Sequence, residues 1–243
     1  MSKKVINQNT NYDTEILNSI ESDFIFDNNP INRLENTAEN IEKDNGPEKI
    51  DKQQQLNDLK LQINSINDCN LKDNSKKIVL GDGNINSPIM LVGEAPGAEE
   101  DSVGKAFLGE VGDLLKKMLN AINIKKEDIY ITYAVNFRPQ EDRKPTTIEI
   151  KRYSQFLQKQ ISIIKPKIII LMGSTAMESL TGLKNKISKE RGKWKEIIVK
   201  NTNYNVIITF NPSYLLRVPE NKKYSWEDLK KIKQKITELK LNI

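Results

Sequence analysis

The sequence contains no histidine and a single cysteine, Cys69. Without imidazole there can be no Ser-His-Asp triad, Cys-His pair, HExxH zinc site or histidine-bearing deaminase centre. One thiol excludes an intrachain disulfide and any metal site built from several thiolates. Any chemistry must therefore use carboxylates, amides, hydroxyls, backbone groups and water.

Long apolar runs are also missing. No stretch approaches the roughly 18 residues needed to span a bilayer, and residues 1–8 lack the apolar core of a signal peptide. The 37% of hydrophobic residues is enough for one substantial core, and 29% of the residues are charged. We therefore expect a cytoplasmic, monomeric protein that does not associate with membranes.

Charge is distributed unevenly along the chain. Residues 1–50 hold 5 basic and 10 acidic residues, whereas residues 51–243 hold 33 basic and 23 acidic residues. A basic body favours a polyanionic partner, because lysine and arginine displace counterions from phosphates. A lysine-rich surface that only keeps the protein in solution is the alternative interpretation.

The first 48 residues are Asn-rich and acidic, and they show no sustained periodicity. The turn-forming segments Asn28-Asn29-Pro30 and Asn45-Gly46-Pro47 interrupt them. We expect residues 1–48 to be a disordered extension and residues 49–243 to form the folded domain.

Four short aliphatic segments are predicted strands, at about 88–93, 129–135, 167–172 and 205–210. Continuous apolar runs of this kind are typical of strands buried on both faces. Helical patterns occur between them: an apolar stripe from Phe107 to Ile122, a capping box at Thr146–Glu149 and a last helix from about Ser225. The alternation predicts a three-layer α/β/α fold with a central four-stranded parallel sheet.

Ligands of open α/β sheets bind beyond the carboxyl ends of the strands. Strand one is followed by Gly93-Glu94-Ala95-Pro96-Gly97, a turn that ends in several carboxylates. Strand four is followed by Asn211-Pro212-Ser213-Tyr214-Leu215-Leu216-Arg217, which combines a turn, two leucines and a cation. Taken singly, these segments fit ordinary loops, an Asx-type turn, core side chains and a solvated charge. Their combination favours extrusion of a base from a duplex.

Five collinear segments resemble the family 4 uracil-DNA glycosylases over about residues 60 to 240. They are residues 93–97, 105–115, 138–146, 191–194 and 211–217. The resemblance implies a pocket for a uracil flipped out of DNA, with Phe107 stacking on the base. It also implies that Glu94 orients or activates the attacking water.

The resemblance assigns further residues by motif. Catalytic roles fall to Glu94 and Asn211. The implied substrate-binding residues are Gly93, Ala95, Pro96, Gly97, Glu100, Phe107 and Tyr133. The implied DNA-binding residues are Pro212, Ser213, Tyr214, Leu215, Leu216, Arg217 and Arg191. Leu215 or Leu216 would act as the wedge, and Arg217 would lie near phosphate.

Three departures from the family pattern affect these expectations. The family has histidine at Asn211, where it donates to the uracil oxygen that becomes negative, and asparagine at Tyr133, where it reads the uracil edge. An asparagine amide still donates, and the tyrosine hydroxyl both donates and accepts, but tyrosine is large enough to fill the pocket. The four cysteines that hold an iron-sulfur cluster in the family align with Ile66, Cys69, Phe137 and Tyr153. We therefore expect neither a metal nor a cluster.

Three functions remain open. The first is a uracil-DNA glycosylase that hydrolyses the N-glycosidic bond of uracil in base excision repair. The second is a DNA- or uracil-binding relative with impaired catalysis. The third is an unrelated nucleotide-binding protein with a phosphate site at Gly173-Ser174-Thr175, although no GxxxxGK[ST] or GxGxxG motif supports it.

Overall fold

A six-stranded sheet forms the centre of the computed structural model, which describes residues 51–67 and 69–243. The strands are β1 (Asp82–Gly83), β2 (Ile89–Gly93), β3 (Tyr130–Tyr133), β4 (Ile168–Met172), β5 (Trp194–Val199) and β6 (Thr202–Thr209). Their order is β1-β3-β2-β4-β6-β5. The four inner strands are parallel, and β1 and β5 pair antiparallel at the edges. The predicted parallel centre is confirmed, within a wider mixed sheet.

Strand β5 was not predicted from the sequence. It is an edge strand with exposed and half-buried positions, so it lacks the continuous apolar run of the inner strands. The hairpin to β6 turns at Lys200 and Asn201, which both have positive φ angles, 45° and 63°. Two positive φ values are typical of tight hairpin turns, but Asn-Gly is the usual sequence signal for them. The Lys200-Asn201 pair therefore does not predict the hairpin turn from the sequence.

Helices connect the strands and cover both faces of the sheet. They are α1 (Lys52–Asn64), α2 (Asn70–Asp73), α3 (Ala98–Val103), α4 (Gly109–Asn120), α5 (Thr147–Ile164), α6 (Ser174–Thr181), α7 (Ile187–Glu190), α8 (Pro212–Arg217) and α9 (Lys222–Glu238). Within the described ranges, none of them combines the length and apolar composition that a membrane-spanning helix needs.

Each inner strand contributes alternate residues to two apolar layers. On one face, Leu91 and Ile170 pack with residues of α4 and α9. On the other face, Val92 and Leu171 pack with residues of α5 and α6. A third apolar cluster lies between α1, α2, α5 and the segment after β3. The three-layer prediction is thus confirmed, and the layers fix the strand ends from which the site is built.

The expected disordered extension, residues 1–48, lies outside the described residues. The boundary between this extension and a folded domain at residues 49–243 stays a prediction.

Helix α5 begins at the capping box that the sequence predicted. The Glu149 N–H donates to Thr146 Oγ1 at 3.3 Å, and the Thr146 N–H donates to Glu149 Oε2 at 2.7 Å. Arg143 also forms a bidentate ion pair with Glu149. The guanidinium, assisted by Thr146 and opposed by burial, holds the pKa of Glu149 at about 2, below its ordinary 4.5.

Replacing Glu149 with glutamine is expected to lower the free energy of unfolding at pH 7 by about 0.5 to 1 kcal/mol, the scale of a partly exposed ion pair. Because the folded-state pKa is depressed, the stabilisation is complete above about pH 4.5 and is lost as the pH falls toward 2. Urea unfolding of both proteins between pH 7 and pH 2.5 should show their difference shrinking. Glu141→Gln, at an exposed carboxylate, is the control and should show no such trend.

Candidate active site and nucleic-acid interface

A cleft of about 1270 Å³ opens where the parallel strands end. It is lined by segments that follow β2, β3, β4 and β6 and by the last residue of β3. This is the edge at which open α/β sheets bind ligands. Its volume exceeds the roughly 300 to 1,000 Å³ typical of small-molecule pockets, so it suits part of a larger ligand. Of the predicted site residues, all but Gly93, Pro212, Leu215 and Leu216 line this cleft.

Two aromatic rings fill the inner end of the cleft. Phe107 and Tyr133 stack with their centroids 5.0 Å apart and their planes inclined by 18°. The Phe107 N–H also donates to Tyr133 Oη at 2.9 Å. Their exposed fractions are only 2% and 3%. The tyrosine ring therefore takes up stacking surface of Phe107 that a flat ligand would need.

Backbone geometry explains how these rings come so close to the sheet. Gly93 is the register partner of Tyr133 in β3, and a Cβ atom on Gly93 would lie 2.7 Å from both rings. Glycine is required there because any side chain would displace the stack. Phe107 itself has a φ of 51°, a left-handed conformation that is rare for a bulky residue. The loop before α4 is thus held in a strained form.

Glu100 connects the loop after β2 with the loop that contains Phe107. Its Oε2 accepts from the Gly97 N–H at 3.1 Å, and its Oε1 accepts from the Leu108 N–H at 3.0 Å. The Tyr133 hydroxyl donates to Oε1 at 3.4 Å. Glu100 is buried, with 7% of its surface exposed, so this predicted substrate-binding residue also has a structural role.

The Tyr133 hydroxyl is directed into the protein. The hydroxyl accepts from the Phe107 N–H and donates to the Glu100 carboxylate. These two hydrogen bonds use its usual donor and acceptor capacity. Burial raises the pKa of Tyr133 well above its ordinary value, and the neighbouring Glu100 carboxylate adds to this shift. The phenol therefore stays neutral, and its hydrogen bonds are used internally.

The carboxylate of Glu94 is held at the N-terminus of α6. Its Oε1 accepts from the Thr175 N–H at 2.9 Å and from Ser174 Oγ at 3.3 Å. A Cβ atom on Gly173 would lie within 2.5 Å of this carboxylate, and the φ of Gly173 is 96°. The end of β4 and the loop after β2 are therefore fitted to each other around Glu94.

This arrangement bears on the nucleotide-binding alternative. A phosphate at Gly173-Ser174-Thr175 would need the amide groups at the start of α6. The protein's own carboxylate, Glu94, already takes the Thr175 amide. The helix N-terminus thus fixes an acidic side chain, and this placement disfavours a phosphate site.

Asn211 caps α8. Its Oδ1 accepts from the Ser213 N–H at 2.9 Å, so the interpretation of this segment as an Asx-type turn is correct. The cap leaves Nδ2 for other uses, and Nδ2 donates to no residue within the described part of the chain. Asn211 also lines the cleft. One side chain can therefore both begin the helix and present a donor to a ligand.

The segment after β6 divides into buried and accessible residues. Leu215 is 1% exposed and packs in the core, so it lacks the exposure that a wedge requires. Leu216 is half-buried and is the better placed of the two leucines, while Pro212 is buried at the first turn. Ser213, Tyr214 and Arg217 line the cleft. Only part of the predicted DNA-binding segment is thus available to a partner.

Arg191 is engaged by the protein itself. Its Nε and Nη2 donate to Asp228 at 2.9 and 2.5 Å, and Nη2 also donates to the carbonyl of Tyr224. Asp228 is fully buried and accepts from Thr209 Oγ1 as well. The guanidinium lies near the ring of Phe210, 5.7 Å from its centroid. This placement gives Arg191 a structural role and disfavours the predicted DNA contact.

The four positions that align with the family's cluster cysteines lie together in the third apolar cluster. Cys69 Sγ and Tyr153 Oη are 3.3 Å apart, and Phe137 packs edge-on against the Tyr153 ring. Ile66 packs against the same residues. One thiol among hydrocarbon and phenol groups does not fit an iron-sulfur cluster, which needs four thiolates or nearly so. Across the described ranges, no three His, Cys, Asp or Glu side chains gather to hold a metal ion.

Sequence reasoning missed several residues that line the cleft or orient its side chains. Ser174 and Thr175 orient Glu94, although the sequence had drawn attention to them for a different ligand. Lys144 and Lys186 also line the cleft, beside the predicted Arg217, and within the described residues none of the three forms an ion pair. Isolated lysines in a lysine-rich chain carry no positional signal, so only the fold could identify them.

Comparison with known proteins agrees with this geometry. A family model described as the uracil DNA glycosylase superfamily matches residues 80–232, which include all of the cleft's strand ends. A type-4 uracil-DNA glycosylase of Thermotoga maritima is 40% identical over 68% of this chain and 86% of its own length. Another, of Archaeoglobus fulgidus, is 34% identical over 73% of this chain and 91% of its own length.

A third similar protein is the type-4 uracil-DNA glycosylase of Pyrobaculum aerophilum, 33% identical over 68% of this chain and 85% of its own. The α/β fold and the strand-end site define a glycosylase-like class, and these similarities specify the family. The chain belongs to the uracil-DNA glycosylase superfamily, on its type-4 branch.

Arg191 and Arg217 provide a matched test of structural and DNA-binding roles. Arg191→Met should lower the free energy of unfolding by about 3 to 5 kcal/mol, because it leaves the buried Asp228 carboxylate unpaired. Arg217→Met should leave stability nearly unchanged and weaken binding to duplex DNA. Urea unfolding and fluorescence anisotropy on both variants measure the two effects. Weaker binding by folded Arg191→Met, without destabilisation, would reverse this assignment.

Proposed function

We propose that this protein is a uracil-DNA glycosylase, which hydrolyses the bond between uracil and C1′ of deoxyribose in base excision repair. Its substrate is a uracil flipped out of DNA into the cleft. The observation that supports this proposal best is the pairing of groups at two strand ends. The oriented carboxylate of Glu94 and the free amide N–H of Asn211 both line the same cleft.

The two groups suit the two halves of the reaction. As the bond from C1′ to the base breaks, negative charge develops on the leaving uracil, and the Asn211 Nδ2 would donate to a uracil oxygen. Water then bonds to C1′ and loses a proton, and Glu94 would orient that water and accept the proton. The uracil anion takes up a proton, which the protonated Glu94 returns by way of solvent, so the products are free uracil and an abasic site. Neither step requires a metal ion or a histidine.

Tyr133 limits this activity. A flipped uracil can stack on Phe107 only after the Tyr133 ring has moved, since both rings are nearly inaccessible. The aromatic pair is worth about 0.5 to 1.5 kcal/mol beyond the surface it buries. This observation favours the second candidate function, a DNA-binding relative with impaired catalysis. We rank it below the glycosylase because Glu94 and Asn211 remain in usable positions.

The partner that we propose is uracil-containing DNA, bound along a rim that carries Lys144, Lys186 and Arg217. The net charge of the sequence, +5, is consistent with that polyanion. We further propose that the protein acts as a cytoplasmic monomer, away from membranes, through residues 49–243. The acidic residues 1–48 would then form an extension to this domain.

We also propose that the protein works without a bound cofactor. The support lies in the third apolar cluster, where Phe137, Tyr153 and Ile66 occupy three of the four ligand positions with packed hydrocarbon. Tyr153 is fully buried, and burial raises the pKa of its hydroxyl far above the ordinary value. In place of a cluster, packing of apolar side chains would hold α5 against the segment before α2.

An excision assay on uracil-containing oligonucleotides tests the function. We expect slow but measurable formation of abasic sites by the unmodified protein. Asn211→Ala should lower the single-turnover rate by about a hundredfold, as expected for losing an oxyanion donor. Asn211→His should raise the rate, and Tyr133→Asn combined with Asn211→His should raise it most. A thymine-containing oligonucleotide serves as the substrate control.

The pattern among these variants distinguishes the candidates. Recovery only in the double variant would mean that Tyr133 has closed a once-catalytic site, which favours the DNA-binding alternative. Absence of activity in every variant, with intact folding and DNA binding, would reject the assignment of Glu94 and Asn211.

The absence of a cluster has its own test. Protein purified anaerobically is expected to contain far less than one iron per chain and to show no visible charge-transfer absorption. Refolding in the presence of a chelator should restore the same thermal midpoint. Stoichiometric iron, or a fold that is lost with chelation, would contradict the proposal.

A further inference from the structure

Lys126 contacts the strained loop that contains Phe107 through two backbone carbonyls. It lies in the 3-10 turn before β3, and its Nζ donates to the carbonyl of Ala106 at 2.8 Å and to that of Phe107 at 2.7 Å. The Phe107 carbonyl also lies against α4, where a Cβ on Gly112 would come within 2.1 Å of it. The ammonium group is thus directed at the residue whose φ is 51°.

This lysine is partly withdrawn from water to make these contacts. Its side chain is half-buried, and burial lowers its pKa from the ordinary value, while Asp82, Glu127 and Glu100 oppose the shift. A surface lysine would be better solvated, so the two carbonyl hydrogen bonds must offset the loss. Charge-assisted bonds of this kind are stronger than neutral ones.

The backbone of Phe107 is therefore held through both its N–H and its carbonyl group. Tyr133 Oη accepts from its N–H, and Lys126 donates to its carbonyl. Left-handed backbone in a bulky residue persists only where its surroundings over-determine it, and such residues cluster at functional sites. Without Lys126, the Phe107 carbonyl would lose its hydrogen bond from the ammonium group, and the Phe107 ring could move away from Gly93.

We propose that Lys126 is a positioning residue, which fixes the left-handed backbone of Phe107 and so places the ring against which the flipped base stacks. This inference rests on the proposed glycosylase function for its effect on rate. Its structural part, the fixing of the Phe107 loop, does not depend on that function. Lys126 is not among the residues that line the cleft, and its ammonium donates to two backbone carbonyls, so it would act through Phe107 rather than by direct contact with the DNA.

Lys126→Met keeps the aliphatic stem and removes both hydrogen bonds. We expect the single-turnover rate on uracil DNA to fall by about tenfold to a hundredfold, the scale of a small misplacement in a reacting site. The dissociation constant for the same DNA should stay within about twofold, because the cleft rim is unchanged. Amide hydrogen exchange at Phe107 and Leu108 should accelerate, since their N–H groups are protected by Tyr133 and Glu100 only while the loop is fixed.

Two further variants control this experiment. Lys125→Met changes the neighbouring exposed lysine and should alter neither rate nor exchange. Lys126→Arg retains a cation with several donors and should recover most of the lost rate. Rescue by arginine together with a change in rate but not in affinity separates positioning from general stability.

Unchanged exchange at Phe107 and Leu108 in Lys126→Met would overturn the proposal, as would a rate loss that merely follows the fraction of unfolded protein. Failure of the proposed glycosylase function gives a different result from failure of the Lys126 proposal. If the unmodified protein excises no uracil, the glycosylase assignment fails, and the exchange at Phe107 and Leu108 alone decides whether Lys126 fixes this loop.

Discussion

The contact between Phe107 and Tyr133 determines the shape of the inner cleft. It combines a stack with the hydrogen bond from the Phe107 N–H to Tyr133 Oη, and it is possible only because Gly93 has no side chain. An aromatic pair is worth about 0.5 to 1.5 kcal/mol, and a hydrogen bond adds about 1 kcal/mol. Stacking of a base on an aromatic side chain contributes about 1 to 3 kcal/mol. If a flipped uracil stacks on Phe107, as proposed, it would therefore compete with Tyr133 on nearly equal terms for that ring.

The polar part of the site depends on two helix N-termini that are used differently. At α6, the backbone and a hydroxyl orient the acidic side chain of Glu94, which arrives from another loop. At α8, the cap residue Asn211 is itself the candidate donor, and Oδ1 is occupied while Nδ2 remains. In the proposed mechanism, Asn211 would therefore still supply a donor where the family has histidine.

The sequence predicted the architecture better than the site. Inner strands and helix α5 were predictable because continuous apolar runs and the Thr146–Glu149 box are local signals. The edge strand β5, with mixed burial, and the Glu94 contact to α6 were not, since both depend on residues distant in the chain. The order of the motifs predicted that the segments after β2 and β6 lie together, and residues of both line one cleft. It did not reveal that Leu215 is core or that Arg191 is paired with Asp228.

Aromatic side chains stand where the family has polar or metal-binding groups in two separate places. Around Tyr153, the ring fills space between α1, α2 and α5, and the result is a closed apolar cluster that stabilises the fold. Around Tyr133, the ring fills space that a ligand would need. An aromatic ring in place of a smaller polar side chain therefore favours packing at Tyr153 and opposes ligand entry at Tyr133. In the apolar cluster the ring adds packing at positions where the family's cysteines align, whereas in the cleft the Tyr133 ring would raise the free-energy cost of admitting a flipped base.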